Sequence, residues 1–316
     1  MKKWLQACFI LLIMSLAVLS ACSGDEGSKK TDGEAAKDGE GEEIEELSVQ
    51  FVPSQNADTL EAKAKPLEKL LSDQLEIPVK VSVSTDYNTI VEAMKSKQVD
   101  VGFLPPTAYV LAKEQGAADV ILQAQRYGVN DDGSPTEELV DSYKSIFIVK
   151  KDSDIDSVED LKGKKIGYQN VTSSAGFVWP AATLMEAGIH PLEDVEAVTL
   201  KGHDQAIISL LNGDVDAAVT FQDARNVVVD DYKTVFDDTK VIEFTEPIPN
   251  DTVTVRPDIS DEMKEKITQA FIEIGKDKEG QEIIRDIYSH EGYVESQDSN
   301  FDIVREYEEK VSKEVK

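Results

Sequence analysis

Tyr87-Asn88-Thr89-Ile90-Val91-Glu92-Ala93-Met94, with Val99-Asp100-Val101-Gly102-Phe103 behind it, returns 116 residues later as His203-Asp204-Gln205-Ala206-Ile207-Ile208-Ser209-Leu210 and Val215-Asp216-Ala217-Ala218-Val219. Each copy has apolar residues at helical spacing and then a short apolar run, which reads as a helix followed by a buried strand. Residues 47–71, a strand, turn and helix, likewise lie over residues 164–187. A chain that carries one order of elements twice is expected to fold as two similar α/β lobes. The match is one of element order and apolar pattern, so by itself it speaks of architecture.

Around the repeat, strand and helix patterns alternate with few hairpin signals, which implies sheets that are mostly parallel and covered on both faces. Tyr143 to Val149 and Val241 to Thr245 are β-rich segments flanking the second copy, and they read as the crossovers between lobes. The expected organisation is therefore a first lobe over residues 47–145 plus 246–316, with a second over 146–245 inserted into it. Residues 128–139, rich in Asn, Asp, Gly, Ser and Pro, read as a loop. The end of the chain reads as a surface helix returning to the first lobe.

The chain has 316 residues, 41% of them hydrophobic, enough for two cores, and a formal charge of -29. That charge argues against nucleic acid and requires any anionic ligand to be held by local dipoles. Lys2 and Lys3, the apolar stretch Leu5 to Leu19, and Leu19-Ser20-Ala21-Cys22 read as a targeting segment over residues 1–21. Small residues before a cysteine resemble the bacterial lipobox, which implies lipid attachment at Cys22 and anchoring at the outer face of a cell membrane. About fifteen apolar residues are short for a bilayer span. From Cys22 to residue 46 the composition is that of a solvated acidic tether. Cleavage would remove Cys8, so disulfides, thiolate metal sites and cysteine nucleophiles are not expected.

Tyr168-Gln169-Asn170-Val171-Thr172-Ser173-Ser174-Ala175-Gly176-Phe177 puts three hydroxyls where a strand hands over to a helix. Such hydroxyls serve as a helix cap or, with the unpaired N–H groups and the dipole, as an anion cradle. The repeat brings Tyr87 into line with His203, each beginning its lobe's second helix, and Thr107 into line with Asp223, each past a third strand. Ligands of open α/β sheets bind outside the carboxyl ends of the strands. If the lobes face one another, Tyr87, the turn Pro105 to Tyr109, Thr172 to Ser174, His203 and Asp223 meet in one cleft.

Taken together, Tyr87 before its helix, Thr107-Ala108-Tyr109, Tyr143-Lys144-Ser145, Asp160-Leu161-Lys162-Gly163-Lys164, the hydroxyl cluster before Gly176, and Gly202-His203 resemble a known family. It is that of the solute-binding proteins of phosphonate, phosphite and phosphate importers of the ABC type, over about residues 47–295. The resemblance implies a two-lobed periplasmic-binding-protein fold (type II) with mixed, mostly parallel sheets. It further implies a ligand-binding rather than enzymatic role, as a monomer working with a permease and its ATPase, without cofactor or metal. Ser173 and Ser174, with Thr172 beside them, resemble the hydroxyls that hold the phosphorus-bound oxygens, and His203 a further donor. Tyr87 and Tyr143 resemble wall tyrosines; Asp223 stands where the family has an acid for a ligand ammonium. Asp251 and Tyr109 are further wall candidates. The family commonly reads Ser-Thr-Ser-Gly, where this chain has Ala175 in the third place.

Hydroxyls, amides and an imidazole can surround a dianion without a buried salt bridge, avoiding the desolvation of fixed charges. A carboxylate beside it suggests a ligand with a protonated oxygen or an ammonium, as in an aminoalkylphosphonate; Asp223 as a plain helix cap is the alternative. The same fold could take a sulfonate, nitrate or thiamine precursor. A lipid-anchored hydrolase using His203 and a serine is the other class, but no third orienting group is recognisable. His190 and His290 read as surface residues, Trp179 and Phe177 as packing, and Pro180 predicts an irregular first helical turn.

Overall fold

The structure is a computed structural model and describes residues 44–315. The expected leader over 1–21, the lipid-bearing Cys22 and the tether as far as residue 43 lie outside the described residues.

β1 (Leu47–Phe51) buries alternate residues and leads into α1 (Ala57–Ala64) and α2 (Leu67–Leu75). Then come β2 (Val79–Val83), α3 (Tyr87–Lys95), β3 (Val101–Leu104) and α4 (Pro106–Glu114). Asp86 starts α3 by accepting from the Asn88 N–H at 2.7 Å. Pro106 sits in the first turn of α4, where a missing N–H costs nothing. β4 (Asp119–Val129) and β5 (Pro135–Val140) form a hairpin, so only 130–134 of the loop expected over 128–139 is a turn and the rest is strand; β6 (Ser142–Tyr143) leaves the lobe.

The second lobe comprises β7 (Ser145–Lys150), β8 (Lys165–Tyr168), α5 (Trp179–Glu186), β9 (Glu196–Thr199) and α6 (His203–Asn212). β10 (Ala217–Phe221), α7 (Arg225–Val228), α8 (Val235–Asp238) and β11 (Thr239–Phe244) complete it. The chain returns through β12 (Ile248–Pro249) to β13 (Thr252–Val255), α9 (Asp261–Lys276), α10 (Lys278–Tyr288), β14 (Gly292–Glu295) and α11 (Asp302–Ser312).

Two mixed sheets result, in the orders β2-β1-β3-β13-β4-β14, with β5 beside β4, and β9-β8-β10-β7-β11. The repeat is the parallel trio of each sheet, β2-β1-β3 and β9-β8-β10. Beyond those trios the expectation of mostly parallel sheets fails, since every other pairing in both is antiparallel. β5 follows β4 by a hairpin, and β7 and β13 each enter from the other lobe, so these strands lack the helical crossover that makes neighbours parallel. The segments read as crossovers supply β7 and β11 of the smaller sheet. The passage between lobes runs through the short β6–β12 ladder, with Ile248 opposite Tyr143.

The first core is built on Phe51 stacked on Phe103 at 4.1 Å, with Phe271 and Tyr293 edge-on to Phe103. Such pairs add roughly 0.5–1.5 kcal/mol beyond the area they bury. The second core lies between Ile146 and Ile148 of β7 and Ala206, Ile207 and Leu210 of α6.

α11 packs on both lobes, not on the first alone. Tyr307 stacks on Trp179 of α5 at 4.4 Å, while Phe301, just before the helix, packs edge-on to Tyr109 of α4 at 5.0 Å. On the same helix, burial, and to a lesser degree Glu114, pushes the Glu308 carboxyl from 4.5 up to about 8, with Arg305 opposing. The folded chain therefore keeps a proton that the unfolded chain releases, and stability falls as pH rises from 4.5 through about 8. Glu308→Gln is expected to raise Tm by roughly 3–6 °C above that window and to leave it unchanged in acid. Melting curves across pH check this; an equal gain at every pH would contradict it.

Candidate functional site

Four helical N-termini face the gap between the lobes: α3 at Tyr87, α4 at Thr107, the turn after Ser173 that runs into α5, and α6 at His203. Each brings the partial positive charge of its dipole, which is how an acidic chain can hold an anion, while the Asn88, Thr107, Gly176 and His203 N–H groups are bonded to Asp86, Ser174, Ser173 and Ser54. Between them is a cavity of about 240 Å³ lined, among others, by Tyr87, Tyr143, Ser173, His203, Asp223 and Asp251.

The turn before α5 is wide: the N–H groups of Val178 and Trp179 reach back five residues to the carbonyls of Ser173 and Ser174. Pro180 is the cause, because it has no N–H to continue a regular ladder. Two carbonyls of the turn find other partners. The Ser145 hydroxyl donates to Ala175 O at 2.6 Å, and the Gln169 N–H donates to Gly176 O at 3.1 Å. The Ser173 hydroxyl caps the turn by accepting from the Gly176 N–H at 3.1 Å and also lines the cavity. Cap and wall are thus one residue.

Tyr87 is buried, and its hydroxyl interacts with Ser173. Burial raises the Tyr87 phenol well above its usual range, with Asp251 adding to the rise. Tyr143 is raised likewise, by burial and then by Asp251. Both stay neutral donors across the physiological range. Burial pushes the His203 imidazole down to about 3, so it is neutral there too. Its Nδ1 is 2.9 Å from the Thr220 hydroxyl, and Phe221 packs edge-on at 4.7 Å. In the tautomer whose Nδ1 accepts from the Thr220 hydroxyl, Nε2 carries the proton and is a donor.

Not every expected residue reaches the cavity. Ser174 is fully buried, with its hydroxyl 3.0 Å from the Thr107 N–H and 2.8 Å from the Thr107 hydroxyl on the opposite lobe. Thr172 lies outside, its hydroxyl donating to Asn170 Oδ1 at 2.8 Å. Tyr109 is on the far face of α4 and donates to Asp298 at 2.6 Å. Asp251 lines the cavity with His290 Nε2 3.7 Å away, and His290 is buried rather than on the surface. Ala175 also lines it, contributing no hydroxyl.

The expectation of a cavity without a buried salt bridge is overturned. Arg126 of β4 donates through Nη2 to Asp223 Oδ1 at 2.5 Å, with side chains 9% and 12% exposed. Nothing near Arg126 in sequence marks it, because its partner is 97 residues away and on the other lobe. Ser54, Phe221 and Tyr288 also line the cavity and carried no sequence signal.

Several bonds join the lobes directly. The His203 N–H donates to Ser54 O at 2.9 Å, Asn170 Nδ2 to Asp86 at 2.9 Å, and the Asn56 N–H to Asp204 at 3.2 Å. The lobes are therefore closed on each other.

Residues 49–301 match the family described as ABC transporter, phosphonate, periplasmic substrate-binding protein. A phosphate-import protein of Mycolicibacterium smegmatis is 31% identical over 64% of this chain, a match that spans 61% of that protein's length. The phosphonates-binding periplasmic protein of Escherichia coli is 24% identical over 77% of this chain and 70% of its own. Among solved structures, PhnD1 of Prochlorococcus marinus in complex with methylphosphonate superposes with a TM-score of 0.73 at 19% identity, covering 85% of this chain and 99% of that one. The periplasmic aliphatic sulphonate binding protein of Escherichia coli has a TM-score of 0.56 at 13% identity, covering 85% of this chain and 86% of that one.

Proposed function

The chain belongs to the phosphonate periplasmic substrate-binding proteins of ABC transporters, and on that premise we propose that it captures a phosphorus oxyanion, whether phosphonate, phosphite or phosphate, between its lobes. It then presents the closed form to a membrane permease driven by an ATPase. The protein works as a monomer outside the cytoplasm, held to the membrane by a lipid on Cys22, and it carries out no chemistry on its ligand.

The observation that supports this reading most is the cavity itself, a space between the lobes where neutral donors and helix N-termini converge. Ser173, Tyr87, Tyr143 and His203 supply the side-chain donors. Fixed dipoles of this kind stabilise charge without having to be desolvated as ions. Thr172 and Ser174 act one step away, Thr172 by shaping the loop and Ser174 by fastening it to Thr107.

Isothermal titration of the described domain with inorganic phosphate, phosphite and methylphosphonate, and with methanesulfonate and nitrate as controls, tests the proposal. Tight binding of at least one phosphorus ligand, with the controls weak, is the expected result. Heat from the sulfonate alone would move the ligand class, and no heat from any would remove it.

A further inference from the structure

Arg126 is where the cavity departs most from the expected chemistry. Its guanidinium comes from the larger sheet and meets Asp223, which follows β10 of the smaller one, so the pair forms only when the lobes are together. The guanidinium carbon also lies 5.5 Å from the centre of the Tyr143 ring, and Nε is buried with no partner among the described residues. A neighbouring groove of about 300 Å³ under the β4–β5 hairpin shares Arg126, Asp223, Asn226, Arg285 and Ser289 with the ligand cavity. The ion pair therefore stands in the partition between the two spaces.

We infer that Arg126 selects the ligand: by occupying Asp223 it turns the site against ligands that carry an ammonium and toward small phosphorus oxyanions that carry none. This rests on the oxyanion reading above. Asp223 is the carboxylate an ammonium would seek, and it already has a cation at hydrogen-bond distance. A second cation brought there meets a fixed guanidinium where water screens little. Two other carboxylates line the cavity: Asp251, which has His290 Nε2 at 3.7 Å, and Asp286, exposed on α10. Asp251 is the half-buried acid left inside, and it matches the single proton of a hydrogen phosphate or a phosphonate monoanion. The partition sets a further limit, because a longer aminoalkyl chain has to part the ion pair to extend into the groove.

Calorimetry at neutral pH with inorganic phosphate, methylphosphonate and aminoethylphosphonate tests this on the unmodified protein, on Arg126→Gln and on the double variant Arg126→Gln with Asp223→Asn. The unmodified protein should bind the better of the first two at least about tenfold more tightly than aminoethylphosphonate. Arg126→Gln frees Asp223 and should shrink that ratio about tenfold or reverse it, and the double variant should restore it. Removing one partner of a buried pair can unfold a protein, and for that case the unmodified protein and the double variant, which leaves no lone charge, decide the matter. Aminoethylphosphonate binding as tightly as methylphosphonate or phosphate to the unmodified protein overturns the inference while leaving the oxyanion reading intact. A ratio unchanged in a folded Arg126→Gln also overturns it. Failure of all three ligands, and of phosphite, to bind overturns both.

Discussion

Ser173→Ala is expected to weaken binding of phosphate or methylphosphonate about a hundredfold, a loss of about 2.7 kcal/mol. The hydroxyl has three tasks: it caps the Gly176 N–H at 3.1 Å, interacts with Tyr87 and lines the cavity. A hydrogen bond to a charged ligand contributes roughly 1.5–3 kcal/mol. A lost cap costs a further 0.5–2 kcal/mol or so, which falls mainly on the fold. The variant should therefore show a modest drop in Tm beside a large drop in affinity, read by thermal melting and by titration. Thr172→Ala is the control, because its hydroxyl bonds Asn170 outside the cavity, and it should change affinity only a few-fold. Equal effects at the two positions would mean that the loop as a whole, and not the Ser173 hydroxyl, makes the site.

The second large effect falls on stability. Gly176 packs so tightly on Gln169 that a methyl there would lie 1.9 Å from its Oε1 and 2.7 Å from its Cβ. Gln169 is buried, and its Nε2 donates to Val219 O of β10 at 3.3 Å. Gly176→Ala must push that side chain off the strand, combining overpacking with a broken buried bond. Each of these costs about 1–3 kcal/mol, which for a chain of this size lowers Tm by roughly 5–15 °C. The melting temperature of the purified variant checks this. A change within about 2 °C would mean that the wide turn shifts freely to make room.

The duplicated helix and strand pattern announced the architecture, and both helix starts, Tyr87 and His203, reach the cavity. Their legibility has a simple cause: a helix that begins past the carboxyl end of a parallel strand starts beside the cleft, so its first side chain has the cavity within reach. Within the hydroxyl run, by contrast, adjacent residues diverge, with Ser173 in the cavity wall and Ser174 against Thr107. Which of two neighbours faces a ligand depends on the wide turn imposed by Pro180, and no periodicity encodes that. Tyr109 misled for a related reason, being two places along α4 from Thr107 and thus on another face of the helix. Arg126 was illegible because its meaning comes from the opposite lobe. Antiparallel strands added to each parallel trio were equally hidden, since an apolar run does not record its direction.

Apart from any ligand, Ser174 holds Thr107, Asn170 holds Asp86 and Arg126 holds Asp223. These fastenings set how often the empty molecule shuts. Each one that strengthens the shut state raises apparent affinity, because less of the ligand's interaction energy goes into shifting the equilibrium. The same strengthening degrades the message, since a membrane partner that recognises closure cannot tell a vacant molecule from a loaded one. Sensitivity to scarce solute and fidelity of delivery therefore pull against each other at these three contacts.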